Sequence, residues 1–155
     1  MIYLESNKAP SGVWGNIKNM KRNATAVWNG TGKEGNGHLT TQSTTLNKTQ
    51  YNFSSRFADG VGTNPEELVA AALSGCFAMK LSFVLNAAGF TAETIDVNST
   101  ITLEGGVLTN AHLVVKATVP EIDQAKFDEC MEDVKANCLI SKLLNIDKTY
   151  EVSLN

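Results

Sequence analysis

One apolar stretch, PEELVAAALSGCFAMKLSF at residues 65–83, constrains the fold more than any other part of this chain. Asn64 can cap a helix, Pro65 suits the first helical position, and two glutamates follow at the positive end of the helix dipole. Gly89 is a natural stop. The sequence therefore predicts a helix over residues 65–88, about 36 Å long, in a globule only about 40 Å across.

The polar residues of this helix do not form a single face. At 100° per residue the apolar side chains fall on every side, and Ser74, Lys80 and Ser82 are scattered among them. The helix should therefore be buried nearly all round, whereas one small sheet covers only one side. A second copy of the chain is the simplest cover, so we predict a homodimer. A membrane span is disfavoured, because the run barely reaches the minimum length and contains Lys80.

Strand patterns flank the helix on both sides. The segments ATAVWNG, GHLTTQSTTL and TQYNFSSRF predict an opening antiparallel meander. After the helix, Gly105-Gly106 predicts a hairpin between two long strands, and Pro120 ends that run. Residues 123–137 have the apolar spacing of an amphipathic helix, LISKLLNI suggests a short helix, and KTYEVSLN suggests a final strand. The expected class is α+β, with helices grouped against antiparallel sheet.

Length and charge restrict the organisation and the partners. The 155 residues suggest one domain over residues 20–155, preceded by an irregular leader at residues 1–19. The net charge of −3 comes without a basic cluster, so neither nucleic acid nor an anionic membrane is an expected partner. Three widely spaced cysteines and the absence of a signal-peptide pattern at the start predict reduced thiols and a cytoplasmic location.

Thiol chemistry is the reactive chemistry that the sequence favours. Cys76 stands among small side chains that leave room for an approaching molecule, although a buried cysteine is more often only packing. Cys130 and Cys138 both fall on an inward helical stripe, and periodicity does not decide which of them could meet Cys76 as a redox couple. His38 and His112 lie in strand-like segments and suggest structural roles. Close metal-ligand spacings, nucleotide-binding loops and a serine triad are not found, so no metal or cofactor is expected.

Four segments, YNFSSRF, GTNPEELVAAALSGCFAM, NAAGFT and ANCLISKLL, resemble the OsmC/Ohr family of osmotically inducible and organic-hydroperoxide-resistance proteins. The similarity covers about residues 20–155 and is greatest to the OsmC branch. It implies an OsmC-like α+β fold of antiparallel sheets with a long buried central helix, assembled as an intertwined homodimer with two active sites at its interface. It also implies a thiol peroxidase that reduces organic hydroperoxides.

The resemblance implies a role for four residues. Cys76 attacks the peroxide and Cys138 resolves the product as a disulfide. Arg56, expected in the strand before the helix, and Glu66 complete the site. An external dithiol, for which the family suggests a lipoylated protein, reopens the disulfide. Two departures from the family pattern stand beside the thiols: Leu139 replaces a frequent proline, which puts the local turn and the speed of disulfide closure in doubt, and Leu73 replaces a frequent histidine, which affects pocket polarity.

Physical reasoning supports these roles. A peroxidatic cysteine must be a thiolate, and a nearby fixed cation favours that form. Arg56 can supply the cation while Glu66 fixes its orientation. Glu66 precedes Cys76 by ten residues, which is about 15 Å on a regular helix and some 80° around it. Either the first turn folds back, or Arg56 and Glu66 serve Cys76 of the other chain. We favour the second hypothesis.

Side chains around Cys76 suggest the kind of substrate. Phe77, Met79 and Phe83 are expected to form an apolar approach, which suits alkyl or lipid hydroperoxides better than hydrogen peroxide alone. Two other functions fit the same pattern: a noncatalytic dimer that binds a hydrophobic ligand, and a redox sensor whose disulfide alters a partner surface.

Overall fold

The computed structural model describes residues 19–155, so nearly all of the expected leader lies outside the described part. The chain opens with an antiparallel sheet of three strands, as the meander pattern predicts. Its strands are β1 (Ala24–Asn29), β2 (Asn36–Thr41) and β3 (Thr49–Asn52), in that order. Ala26 pairs with Leu39, and Gly37 pairs with Tyr51.

Arg56 lies on a helix and not on a strand, which corrects the expectation for this residue. The helix α1 spans Phe53–Phe57. Asn52 starts it with a reciprocal capping box, in which its side chain accepts from the backbone N–H of Ser55 at 2.8 Å and Ser55 Oγ accepts from the backbone N–H of Asn52 at 2.9 Å. This local pairing turns the chain out of the sheet although the flanking residues are aromatic and strand-like.

The long central helix has the predicted limits. The helix α2 spans Pro65–Ala87, with the Asn64 side chain accepting from the backbone N–H of Glu67 at 2.8 Å. It ends before Gly89, whose φ of +91° favours glycine. By length and hydropathy α2 could span a membrane, but one stripe of it packs into the protein's own core: Leu73, Phe77, Leu81 and Leu85.

A second sheet carries the core. The strands β4 (Thr94–Glu104) and β5 (Val107–Thr118) form the predicted hairpin, and both glycines of its turn have positive φ. The strand β6 (Asp147–Leu154) pairs with β5 in parallel, so the expectation of wholly antiparallel sheets is wrong at this pair. Two helices, α3 (Gln124–Asn137) and α4 (Leu139–Leu143), carry the chain back to the starting end of β5, and such a crossover makes the next strand parallel.

The core of the described chain is confined to the part from Leu73 onward. Every buried apolar residue of the described chain lies at or after Leu73, and α2, the inner face of β5 and one face of α3 supply most of them. The first sheet contributes none, and all six residues of β1 are exposed. The single chain thus has one packed region, in which α2 lies between the second sheet and α3. The first sheet lies outside this region.

Candidate active site

Two thiols meet beside the middle of α2. The Cys138 Sγ donates a hydrogen bond to the Cys76 Sγ over 3.4 Å, although the two residues are 62 positions apart in the chain. Cys138 is completely buried and Cys76 is half-buried. A disulfide needs the sulfurs about 2.05 Å apart, so a small local movement is enough to form one.

The break between α3 and α4 presents Cys138 to α2. The backbone of Cys138 is extended, with φ −66° and ψ 121°, and it separates two helices that would otherwise be continuous. Its N–H still donates to the carbonyl of Val134, and its carbonyl accepts from Lys142. Burial raises the pKa of the Cys138 thiol to about 11, against a smaller opposite effect of the Ser141 backbone. The thiol is therefore protonated at neutral pH and able to donate.

The third cysteine lies elsewhere. Cys130 is buried on α3 and lines a cavity of about 360 Å³ between α2 and α3, together with Val84 and Ala87. Burial raises the pKa of the Cys130 thiol above its ordinary value. Of the two candidates for a second thiol, Cys138 is the one that the fold brings into contact with Cys76.

Arg56 and Glu66 form a close ion pair at the start of α2. Arg56 donates from Nε and Nη2 to Glu66 Oε1, over 3.0 and 2.7 Å. These hydrogen bonds hold the pKa of the Glu66 carboxyl below its usual range. The guanidinium also lies 4.9 Å from the ring centroid of Phe57 and lines a cavity of about 240 Å³ with Trp28 and Tyr51. The pair is thus a charged, oriented unit at the edge of the first sheet.

Hydrogen bonds fix α1 against the start of α2. The Asn64 amide donates to the carbonyl of Ser55 over 3.1 Å, and Ser55 Oγ donates to the carbonyl of Thr63 over 2.9 Å. Both Ser55 and Thr63 are buried. This link positions Arg56, on α1, opposite Glu66, on α2.

The thiol pair and the ion pair do not meet within one chain along α2. The helix is regular from Pro65 onward, so its first turn does not fold back towards Cys76. Glu66 therefore lies about 15 Å from Cys76 along the helix axis. The alternative in which the first turn folds back towards Cys76 is therefore wrong.

Comparison with known protein families matches a region of this chain that includes Cys76, Cys138 and Glu66. Residues 58–153 match the family described as OsmC-like protein. The chain belongs to the OsmC-like protein family. The resemblance seen in the sequence is thereby confirmed at the level of the family.

Individual relatives agree with this assignment. Peroxiredoxin OsmC of Escherichia coli strain K12 is 39% identical over 133 residues, which cover 83% of this chain and 93% of that protein. Peroxiredoxin OsmC of Shigella flexneri has the same identity and coverage.

Solved structures support the fold. An OsmC-like protein from Mycoplasma pneumoniae has a TM-score of 0.70 at 15% identity, covering 88% of this chain and 99% of its own. An organic hydroperoxide resistance protein from Elizabethkingia anophelis has a TM-score of 0.67 at 23% identity, covering 89% and 99%. The fold of the chain is therefore α+β and OsmC-like.

The cavity that leads to Cys76 in this OsmC-like chain differs from the expected approach. It measures about 50 Å³ and is lined by Met79, Lys80, Asn137 and Leu139 as well as by Cys76. Met79 was expected there.

Two expectations about the surroundings of Cys76 are wrong. Phe77 does not line the approach, since it is completely buried and its ring lies 5.8 Å from that of Tyr150. Leu73, expected to affect pocket polarity, also points into the core and is completely buried. Lys80 and Asn137 were not predicted to line the approach, although Lys80 stands four residues after Cys76, a spacing that places two residues on one helix face.

Proposed function

We propose that this chain is a thiol peroxidase that reduces organic hydroperoxides to alcohols, with Cys76 as the attacking thiol and Cys138 as the resolving one. The observation that carries the proposal is the 3.4 Å contact between the two sulfurs. Its chemical meaning comes from relatives that are named Peroxiredoxin OsmC.

The proposed cycle uses one peroxide and two thiols. The Cys76 thiolate attacks the terminal oxygen of the hydroperoxide, the O–O bond breaks, and the leaving alkoxide takes a proton and departs as an alcohol. Cys76 is then a sulfenic acid. Cys138 attacks its sulfur, hydroxide leaves and is protonated to water, and a Cys76–Cys138 disulfide forms. An external dithiol, such as a lipoylated protein, reduces this disulfide in two exchange steps and is itself oxidised.

A homodimer is part of the proposal, since two surfaces of the single chain lack a cover. Trp28, Phe53 and Phe57 project from the first sheet and α1 with a third or more of their surface exposed. On α2, Met79 is 60% exposed, and the space around Gly75 is open. A three-stranded sheet needs an apolar partner for stability, and a second copy provides one for both surfaces.

The dimer also supplies the cation that the thiolate needs. We place Arg56 and Glu66 of each chain against Cys76 of the partner subunit, because the two groups lie too far apart along their own α2. A guanidinium held by a carboxylate can stabilise the thiolate and orient a peroxide oxygen at the same time. Arg56 is suitable for this task, since it is oriented by Glu66 and remains 41% exposed in the single chain.

The apolar cavity beside Cys76 supports an organic or lipid hydroperoxide as substrate. Met79 and Leu139, its two large apolar side chains, are both more than half exposed in the single chain. The need for a dithiol reductant suits a reducing compartment, and we propose a cytoplasmic location for this reason.

The test is mass spectrometry of the reduced protein after one equivalent of cumene hydroperoxide, followed by turnover on adding a dithiol. We expect a Cys76–Cys138 disulfide, loss of all peroxide reduction in Cys76→Ser, and an unstable sulfenic acid in Cys138→Ser. Cys130→Ser is the matched control and should react like the wild type. A disulfide that forms without turnover would indicate a redox sensor, and unchanged thiols would indicate a ligand-binding protein; either result overturns the proposal.

A further inference from the structure

Lys80 shares a helix face with Cys76. The two residues are four positions apart on α2, a spacing that makes side chains neighbours. Lys80 also lines the cavity of about 360 Å³ between α2 and α3, together with Asp133. Cys76 and Lys80 both line the cavity of about 50 Å³ with Met79, Asn137 and Leu139. The side chain of Lys80 therefore lies beside the space in which the thiol reacts.

The ammonium of Lys80 is held in a partly buried position. Its side chain is only 14% exposed, and Nζ lies 3.5 Å from Asp133 Oδ1 on α3. That carboxylate is 47% exposed and partly neutralises the lysine. Water screens a charge less when the charge is withdrawn from solvent, so the remaining field of Lys80 extends into the cavity.

We propose that Lys80 is a positioning residue for the charge on Cys76: its ammonium favours the thiolate from within the same chain, and Asp133 controls how much of that field reaches the sulfur. This inference rests on the proposed function of Cys76. It adds a second cation to the site, independent of the guanidinium that the partner subunit supplies. The arrangement couples the reactivity of the thiol to an ion pair between α2 and α3.

The other charged and titratable groups near Cys76 can be assigned to their elements. From the α3–α4 break, Cys138 donates its S–H to the Cys76 sulfur. From α3, Cys130 and the Lys126–Glu129 ion pair line the larger cavity on the other side of Lys80. On the inner face of β4 the side chains are uncharged: Ile95, Val97, Ser99 and Ile101. Lys80 is thus the charged residue that lines the smaller cavity with Cys76.

The experiment measures the pH midpoint of Cys76 alkylation by iodoacetamide, followed on the peptide that contains Cys76. We expect Lys80→Met to move the midpoint upward by roughly half a unit to one unit, because a positive charge beside the cavity favours the thiolate. Asp133→Asn removes the competing carboxylate and should move the midpoint downward. Lys80→Arg keeps the positive charge and should stay near the wild type.

Lys126→Met is the matched control. It removes a lysine that is paired with Glu129 and lines the larger cavity with Lys80 but not the cavity of Cys76. We expect no shift. Equal shifts in Lys80→Met and Lys126→Met would indicate a general change of net charge and would overturn the inference.

Failure of this inference and failure of the proposed function give different results. Alkylation needs no peroxide, so an unshifted midpoint in both Lys80→Met and Asp133→Asn overturns the role of Lys80 even when peroxidase activity is normal. A shifted midpoint in a protein that does not reduce peroxide supports the electrostatic role and rejects the function. If Lys80→Met fails to fold, Lys80→Gln takes its place in the same measurement.

Discussion

The Cys138 thiol lies in an environment that suits its resting state. Complete burial disfavours the thiolate, and the neighbouring Cys76 sulfur, to which Cys138 donates, adds to this effect. A protonated thiol can donate to Cys76 and does not compete with it for peroxide. When Cys76 is oxidised, Cys138 is the thiol in contact with it, so the contact between the two sulfurs suits the proposed order of reaction.

The raised pKa of Cys138 predicts a specific dependence of stability on pH. The pKa of the Cys138 thiol rises from 9.0 to about 11 on folding, so the folded state holds the proton more tightly than the unfolded state. The stabilisation is complete below pH 9 and is lost as pH rises towards 11. Under reducing conditions, we expect urea unfolding of the wild type to lose about 2 kcal/mol more over this range than unfolding of Cys138→Ala. Parallel pH profiles of the two proteins would contradict this.

At the scale of helices and strands, the sequence predicted the elements that carry local signals. Asn64-Pro65 starts α2, Gly89 follows its end, and Gly105-Gly106 forms the turn between β4 and β5. The short helix α1 was missed because its signal, the Asn52 capping box, is confined to five helical residues among aromatic ones.

The parallel pairing of β5 with β6 and the meeting of the two thiols could not be derived from periodicity. Both depend on how α3 and α4 pack on α2, which places Cys138 rather than Cys130 against Cys76. Sequence spacing shows which side of a helix is apolar but not which residue of that side meets a given neighbour. The choice between the two cysteines came from the family resemblance.

The junction of α1 and α2 provides a test of how the ion pair is held. Asn64→Ala removes the N-cap of α2 and the hydrogen bond to the carbonyl of Ser55 that joins α1 to it. We expect a loss of about 1–2 kcal/mol in the free energy of unfolding. Peroxidase activity should also fall, because Arg56 on α1 is then less firmly placed opposite Glu66. Urea unfolding and the initial rate with cumene hydroperoxide measure the two effects.

Asp123→Ala is the control for this change. It removes the N-cap of α3, where the Asp123 side chain accepts from the backbone N–H of Lys126 at 2.7 Å. The loss of stability should be about 1 kcal/mol, with the initial rate unchanged at a temperature where the protein stays folded. Equal losses of activity in the two variants would mean that the rate follows general stability and not the position of Arg56.

At the scale of the whole molecule, the described chain divides into a packed part and an uncovered part. The core begins at Leu73. The first sheet and α1 have no buried apolar residue among those described, and α1 carries Arg56. Burial of an apolar surface is the main favourable contribution to folding, so the proposed dimer would stabilise the first sheet and α1 by covering them. The same contact would bring Arg56 of one chain to Cys76 of the partner subunit. Within a single chain, the length of α2 separates these two groups.

Mixed dimers test this arrangement directly. An Arg56→Ala chain and a Cys76→Ser chain, carrying different affinity tags, are co-expressed and the heterodimer is purified through both tags. If Arg56 serves Cys76 of the partner subunit, one of the two sites in the heterodimer is intact, and we expect about half of the wild-type peroxidase rate per dimer. Each parent homodimer should be inactive, because every one of its sites lacks either the cation or the thiol.

The inverse pairing gives the matched control. A chain that carries both Arg56→Ala and Cys76→Ser is combined with a wild-type chain, so the heterodimer has the same two substitutions on a single chain. Cross-chain sites then leave the remaining Cys76 facing a partner without Arg56, and the heterodimer should be inactive. If Arg56 acted within its own chain, the two results would be reversed, with the first heterodimer inactive and the second at half of the wild-type rate.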